Sequence, residues 1–387
     1  MKALVFNVPA HGHVNPTIPL IQELIRRGVR VIHYNDPSFR HAPELQAIFS
    51  PLPILEQLAT NQLTKQISAI QLINILSGVV DELTEFAISQ TEREKPDFII
   101  HDSFALWGKT TAFVTKVPAA SSLTTFAFNW KVFGWAPEFA WETIVASFRH
   151  IKYLPKISHR LNSYYSKYGM KKDSVFDYIV NREKVNLIYT SKYFQPCSQS
   201  FGPEFKFVGP SFQFDKLPVK QKLIYISLGT IYNRDPEFFQ MCFEALGDLP
   251  YQVILSLGKG LNASSFDAVP KNFEVCEFVD QVRVLQKAVL FITHSGMNST
   301  NEGLSANTPL IMIPQVSEQR LVAKRVQDLG AGIALDRRNL NARIIRETVL
   351  KILNEKSYLE NTAKIRESFF ESGGVKRAAS EVLSLVP

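Results

Sequence analysis

Cysteine is scarce in this chain of 387 residues: Cys197, Cys242 and Cys276 stand far apart with no paired spacing. That excludes a disulfide framework and a cysteine zinc site, and fits a reducing cytoplasm. No run of about 18 apolar residues occurs, so no membrane-spanning helix is expected. The apolar start, Ala3 to Val8, is too short for the core and cleavage site of a signal peptide. No GxGxxG follows the first predicted strand, so the usual dinucleotide fingerprint is missing, and no GxxxxGK[ST] is present for P-loop chemistry. Internal repeats and low-complexity tracts are absent as well.

What is present is the composition of a soluble globular protein, 45% hydrophobic and 20% charged. The length exceeds one ordinary domain, and two domains of about 200 residues are the natural expectation. The net charge of +7 is uneven. Arg149, Lys152, Lys156, Arg160, Lys167, Lys171 and Lys172 follow one another without an acidic residue, interleaved with Tyr153, Tyr164, Tyr165 and Tyr168. A solvated helix face is the first reading of that run. An anionic acceptor or a membrane surface is the sharper one. No nucleic-acid module accompanies the run, so nucleic acid is not an expected partner.

Strand and helix patterns alternate along the first half. Lys2 to Val8 reads as a buried parallel strand, Pro16 to Arg27 as a helix with Asn15 as N-cap, and Val29 to Tyr34 as the next strand after Gly28. An amphipathic segment from about Thr60 to Arg93 precedes a strand, Asp97 to Asp102, a helix, Ala105 to Thr115, and a short strand, Val117 to Ser122. Val185 to Ser191 and Phe205 to Val208 are the last strands of this half. A second alternation has strands at Leu223–Leu228, Gln252–Leu257, Glu274–Val279, Val289–Thr293, Leu310–Ile313 and Gly332–Leu335. Such alternation predicts an α/β protein with parallel, doubly wound sheets. The expected organisation is a domain at 1–209, a proline-containing linker at 210–221, a second domain at 222–370, and a C-terminal helix at 371–387 that packs back on the first. Phe126 to Tyr168 breaks the pattern with Phe126, Phe128, Trp130, Phe133, Trp135, Phe139 and Trp141, which suit a core helix pair or the wall of an apolar pocket.

The most informative stretch is Phe291 to Gln319. A strand ends in His294, a small-residue turn opens a helix, and a second strand ends just before Glu318 and Gln319. Free N–H groups and the positive end of the helix dipole make a phosphate site there. Glu318 and Gln319 offer the hydrogen-bonding groups that a sugar ring needs. A nucleotide sugar is therefore the expected ligand. The chain has no Asp-x-Asp pair, the commonest carboxylate clamp for a metal-bound nucleotide sugar. Helix N-termini, hydroxyls and His294 are expected to meet the diphosphate instead, with no metal site and no required cofactor.

Ligands of open α/β sheets sit beyond the carboxyl ends of the strands. In the first half those places hold His11, His13 and Asp102. In the second they hold Ser227 to Thr230, Asp280 and Gln281, His294, and Glu318 with Gln319. His13 suits a general base, because its ordinary pKa of about 6.5 lies near working pH. Asp102 is the carboxylate to orient it, as in a His–Asp pair. His11 has no clear partner, and His101 is expected on the opposite side of its strand. Gly296, Asn298 and Ser299 join His294 and the SLGT turn in a phosphate cradle. Glu302, one turn on, could accept hydrogen bonds from ribose hydroxyls, or be a first-turn acid favoured by the dipole.

At these residues, from KALVFNVPAHGHVNP through HSGMNSTNEG and PQVSEQ, the chain resembles the UDP-glycosyltransferase superfamily, in its bacterial macrolide-glycosyltransferase-like branch. The resemblance implies the GT-B fold: two facing Rossmann-like doubly wound domains with a cleft between them, the acceptor in the first and the UDP-sugar donor in the second. It implies an inverting, metal-independent transfer to a small-molecule hydroxyl, with His13 as base and Asp102 as its partner. By position, Thr230, His294, Gly296, Asn298 and Ser299 resemble the diphosphate contacts, and Glu302 the ribose contact. Phe278, Val279 and Gln281 resemble the uracil-binding turn, and Glu318 with Gln319 the sugar-reading pair. Asp280 stands in place of the family's proline, and Glu318 in place of the branch's aspartate.

The expectation is a cytoplasmic hexosyltransferase that moves glucose from UDP-glucose to a small hydrophobic or aromatic acceptor such as a macrolide or a flavonoid. Acceptor walls are expected from Thr60 to Val80 and Phe126 to Tyr168. The rivals are a lipid or cell-envelope glycosyltransferase in peripheral contact with a membrane, and a UDP-sugar-binding protein without transfer activity.

Overall fold

The structure is a computed structural model that describes residues 1–40, 47–51, 69–171, 181–212, 219–229, 235–258, 261 and 263–386. The chain divides into two compact units, Met1–Ser211 with Ser372–Pro387, and Phe212–Glu371. The first unit thus ends at Ser211 and resumes at Ser372.

The first unit is built on a seven-stranded sheet. Its strands are β1 (Lys2–Phe6), β2 (Arg30–Asn35), β3 (Ile48–Pro51), β4 (Phe98–Asp102), β5 (Ala119–Leu123), β6 (Val185–Ile188) and β7 (Phe205–Phe207). They lie in the order 3-2-1-4-5-6-7, all parallel. The helices are α1 (His11–Val14), α2 (Thr17–Arg26), α3 (Ala69–Glu94), α4 (Leu106–Thr115), α5 (Trp130–Trp135), α6 (Pro137–Arg149) and α7 (Leu154–Tyr168). A parallel sheet covered on both faces needs apolar side chains on both, hence the continuous run ALVF in β1. Ala3 and Val5 face a core with Leu20, Ile21 and Leu24 of α2 and with Ala378, Ala379 and Val382 of the C-terminal helix, Gly374–Leu383. Leu4 and Phe6 face the other core, with Leu76, Val80 and Leu83 of α3 and Ile157 and Leu161 of α7. The C-terminal helix is tied down by Arg27, which donates to Ser380 Oγ at 2.9 Å and to the Lys376 carbonyl at 2.7 Å.

Two local expectations are corrected. The loop after β1 winds into α1, because the Ala10 carbonyl accepts the N–H groups of both His13 and Val14. Asn15 therefore closes α1 instead of capping the next helix, and Pro16 holds the cap position of α2 without a side-chain cap. Proline has no N–H to continue α1, so the chain hands over there. The four-residue edge strand β3 has no counterpart in the sequence reading. It pairs with β2 through Ile32 and Ile48 and ends at Pro51, where an edge tolerates a missing donor.

The second unit repeats the plan. Its strands are β8 (Leu223–Ser227), β9 (Gln252–Ser256), β10 (Phe273–Cys276), β11 (Leu290–Thr293), β12 (Leu310–Met312) and β13 (Gly332–Ala334). Their order is β10-β9-β8-β11-β12-β13, again all parallel. Helices α8 (Pro236–Leu246), α9 (Gln281–Lys287), α10 (Met297–Ser305), α11 (Ser317–Asp328), α12 (Ala342–Asn354) and α13 (Lys356–Glu371) cover it. Ile224, Ile226 and Leu228 alternate onto a core with Phe238, Phe239 and Phe243 of α8 and Ile345 and Val349 of α12. In each sheet the strand order reverses beside the first strand, between β1 and β4 and between β8 and β11. The chain leaves these neighbours in opposite directions, which opens a crevice at their carboxyl ends.

Candidate active site

In the first unit that crevice holds His13 and Asp102. Asp102 is the last residue of β4 and is fully buried. Its Oδ1 accepts the Phe104 N–H at 2.7 Å, and its Oδ2 lies 2.8 Å from His13 Nδ1. A carboxylate can only accept, so Nδ1 carries the hydrogen and the ring lone pair lies on Nε2. Thr124 Oγ1 is 3.3 Å from the same Nδ1, and Phe104 meets the imidazole edge-on, with centroids 5.4 Å apart. The backbone under His13 is fixed too. Its carbonyl accepts from Thr17 Oγ1 at 3.1 Å, and Asn7 Nδ2 donates to Thr17 Oγ1 at 3.2 Å. His13 keeps a partly exposed side chain, 21%, above a wholly buried partner.

His101 turns away from this pair, as the two-residue period of a strand requires. Its ring nitrogens lie 3.1 Å from the Asp102 carbonyl and 3.2 Å from Glu183 Oε1. Asn181 donates to the Ser103 carbonyl at 2.6 Å, so the 181–183 segment braces the end of β4 from behind. His11 stands apart, exposed, with its ring against Phe39. Sequence reasoning missed Asn7, Thr17, Thr124, Asn181 and Glu183. Only Thr124, just past the end of β5, carried a signal, since it too leaves the sheet at its carboxyl edge.

The crevice of the second unit lies between the turn after β8 and the turn after β11. Gly229 (φ +80°) and Gly296 enclose the His294 ring. A Cβ on Gly229 would lie 2.6 Å from its Cε1, and one on Gly296 would lie 2.5 Å from its Nε2. Burial pushes the imidazole down to about 4, against a smaller opposing effect from the Ser227 carbonyl. His294 is therefore neutral at pH 7 in the ligand-free protein. Its Nδ1 is buried without a hydrogen-bond partner. Beside it α10 follows Gly296, an N-cap without a capping side chain, so the positive end of the helix dipole faces this turn. Ser295 holds the preceding turn in the left-handed region, φ 67°, which costs a non-glycine residue about 1–2 kcal/mol. Strain of this kind concentrates at functional sites.

Three side chains converge one turn further on. Gln281 Nε2 donates to Glu302 Oε2 at 2.6 Å and to Ser299 Oγ at 3.2 Å, while its Oε1 accepts from the Tyr225 hydroxyl at 3.2 Å. Burial raises the Glu302 carboxyl, against the opposing hydrogen bond from Gln281. Asp280 is the N-cap of α9, accepting the Arg283 N–H at 3.2 Å. The residue in place of the family's proline thus fastens the helix that presents Gln281. Phe278 is 52% exposed on the loop before α9, with Val279 half-buried behind it.

At the start of α11, Gln319 Oε1 accepts the N–H groups of Gln315 (2.8 Å) and Val316 (3.3 Å). That oxygen holds the loop in place, and Glu318 is exposed beside it. Asn298 lies in the first turn of α10. Thr230 lies outside the described residues. Among the described residues no cluster of three or more His, Cys, Asp or Glu could hold a metal ion, and no helix is long and apolar enough to cross a membrane.

The chain is 32% identical to the uncharacterized UDP-glucosyltransferase YojK of Bacillus subtilis, over all of this chain and 97% of that protein. It is 33% identical to the NDP-glycosyltransferase YjiC of Bacillus licheniformis, over 98% and 96%. The chain belongs to the UDP-glycosyltransferase superfamily, in the bacterial macrolide-glycosyltransferase-like branch. Residues 240–374 match the family described as erythromycin biosynthesis protein CIII-like, C-terminal domain. The oleandomycin glycosyltransferase of Streptomyces antibioticus is 26% identical over 99% of this chain and 90% of its own length. Among solved structures, the calicheamicin glycosyltransferase CalG4 superposes with a TM-score of 0.84 at 26% identity, over 99% of this chain and 98% of that one. The glycotransferase of kitacinnamycin reaches 0.85 at 24% identity, over 100% and 99%, which speaks to the fold. The two Rossmann-like units are those of the GT-B fold, and the protein is a glycosyltransferase.

Proposed function

We propose that this glycosyltransferase moves a sugar, glucose first, from a UDP-sugar to a hydroxyl of a small hydrophobic or aromatic natural product, with inversion and without a required metal. The observation that carries the reading is the 2.8 Å contact between His13 Nδ1 and the buried Asp102 carboxylate. With Nδ1 as donor, Nε2 takes the proton of the acceptor hydroxyl. The acceptor oxygen forms a bond to the anomeric carbon, the bond from that carbon to the phosphate oxygen breaks, and UDP leaves with the electron pair. His13 acts as base, and Asp102 positions it and stabilises the imidazolium that forms.

On the donor side, the orphaned His294 Nδ1 and the uncapped start of α10 suit a diphosphate. Preorganised donors of this kind stabilise charge as it builds on the leaving group. Glu302 with Gln281 suits the ribose, Phe278 the base, and Glu318 with the Gln319 amide the sugar. Thr230, Gly296, Asn298, Ser299 and Val279 complete the assignment by position. Relatives named for UDP-glucose and for oleandomycin support the choice of donor and acceptor class.

The test is UDP release from UDP-glucose with a panel of macrolide, flavonoid and phenol acceptors, run with and without chelator. Acceptor-dependent release that ignores chelator is expected. Release that needs a divalent ion, or that runs equally fast without acceptor, would overturn the reading.

A further inference from the structure

The surface that the transfer reaction does not explain is the corner where α6 runs into α7. Phe148 is 69% exposed, Ile151 56% and Leu154 39%, and Ile144 continues the apolar stripe along α6 at 47%. Water-facing corners of soluble proteins seldom carry such a contiguous set of large apolar side chains. Between them stand Arg149, Lys152 and Lys156, all exposed. The nearest acids in the chain are Glu142 before them and Asp173 after them.

The structure also divides the basic run that the sequence presents as one. Lys167 lies 2.8 Å from both Asp81 and Glu85, and Arg160 donates to the Asn74 carbonyl at 3.3 Å. These cations are spent on α3. Arg149, Lys152 and Lys156 have no acidic partner among the ion pairs of the described residues, and Lys152 lies over the Tyr153 ring at 5.2 Å. The corner is mounted rigidly, since Ile157, Leu161, Tyr164 and Tyr165 bury the other side of α7 against α3. Glu138 and Glu142 flank Trp141 further along α6, so the apolar and basic groups coincide only around Phe148 to Lys156.

We propose that this corner docks the protein on an anionic lipid bilayer. Phe148, Ile151 and Leu154 enter the boundary between headgroups and acyl chains, and Arg149, Lys152 and Lys156 lie against the lipid phosphates. Charge complementarity selects that occupant, because an apolar surface alone gives three cations no counter-charge. Each basic residue near such a surface contributes about fivefold in affinity, and the three together about a hundredfold. An acceptor that partitions into lipid would then be met where it is most concentrated.

The test is co-sedimentation of the full chain with phosphatidylcholine vesicles, with and without phosphatidylglycerol, at low and moderate salt. Transfer to a soluble acceptor is measured on the same samples. Binding only to the anionic vesicles, weakened by salt, is expected. The variant K152Q/K156Q should bind about 20-fold less tightly, and F148S/I151S should release the vesicles while keeping its circular dichroism spectrum and its affinity for UDP. No binding to anionic vesicles, or equal binding by both variants, would overturn the proposal. Loss of soluble transfer together with vesicle binding in F148S/I151S would make the corner an acceptor wall, which also overturns it and leaves the transferase reading intact.

Discussion

His294 offers a prediction whose size follows from its surroundings. Enclosed by Gly229 and Gly296, its imidazole is held down to about 4 by burial, whereas an unfolded chain would titrate near 6.5. Between those values the unfolded chain binds a proton that the folded protein refuses. Stability is therefore lost as pH falls from 7 toward 4, and at pH 5 the loss from this residue is about 2 kcal/mol. In His294→Gln the loss disappears. The stability advantage of the wild type over the variant should thus shrink by about 2 kcal/mol between pH 7 and pH 5 in urea unfolding. Glu302 works in the opposite sense. Its raised carboxyl adds stability at low pH that fades as pH rises, but it is present in both proteins and cancels in the difference. By nuclear magnetic resonance, the histidine signal missing from the variant should stay neutral down to pH 5 without ligand. A diphosphate against the ring would favour the charged form, so UDP should move that titration upward. A midpoint near 6.5 without ligand, or a stability gap that ignores pH, would refute the reasoning.

Two further outcomes are expected. Gly296→Ala would place a Cβ 2.5 Å from His294 Nε2, and UDP affinity measured by calorimetry should fall about tenfold or more, a cost of about 1.4 kcal/mol. Unchanged affinity would mean that the ring can move aside. Asp102→Asn should keep the fold and UDP binding while kcat/KM falls by roughly 10²–10⁴, because an amide can hold the wrong tautomer of His13. A loss below fivefold would remove Asp102 from the mechanism.

The sheet was legible where physics leaves few options. β1, β4, β8 and β11 are buried on both faces and read as near-continuous apolar runs. Their following residues were identifiable as site candidates because ligands collect at carboxyl strand ends. The pairing of His13 with Asp102 was legible only as a suggestion, since it depends on β1 lying beside β4, 89 residues apart at the contact. The supports Asn7, Thr17, Asn181 and Glu183 are ordinary polar residues whose significance comes from tertiary proximity. Gln319 shows the opposite effect. It was noticed for a sugar, yet its Oε1 satisfies the N–H groups of Gln315 and Val316 at the start of α11. A helix start must find acceptors for such groups, and no residue pattern announces which side chain will serve. The aromatic stretch proved mixed: Phe126 and Phe128 are buried, while Trp130, Trp141 and Phe148 are exposed. Composition alone could not separate those environments.

The central claim is that His13 Nε2 takes the acceptor proton. The most direct measurement compares His13→Ala with the wild type in acceptor-dependent transfer, with UDP binding measured on the same samples. Loss of transfer by 10² or more with UDP affinity unchanged is the predicted result. Near-full transfer by a folded His13→Ala would contradict it.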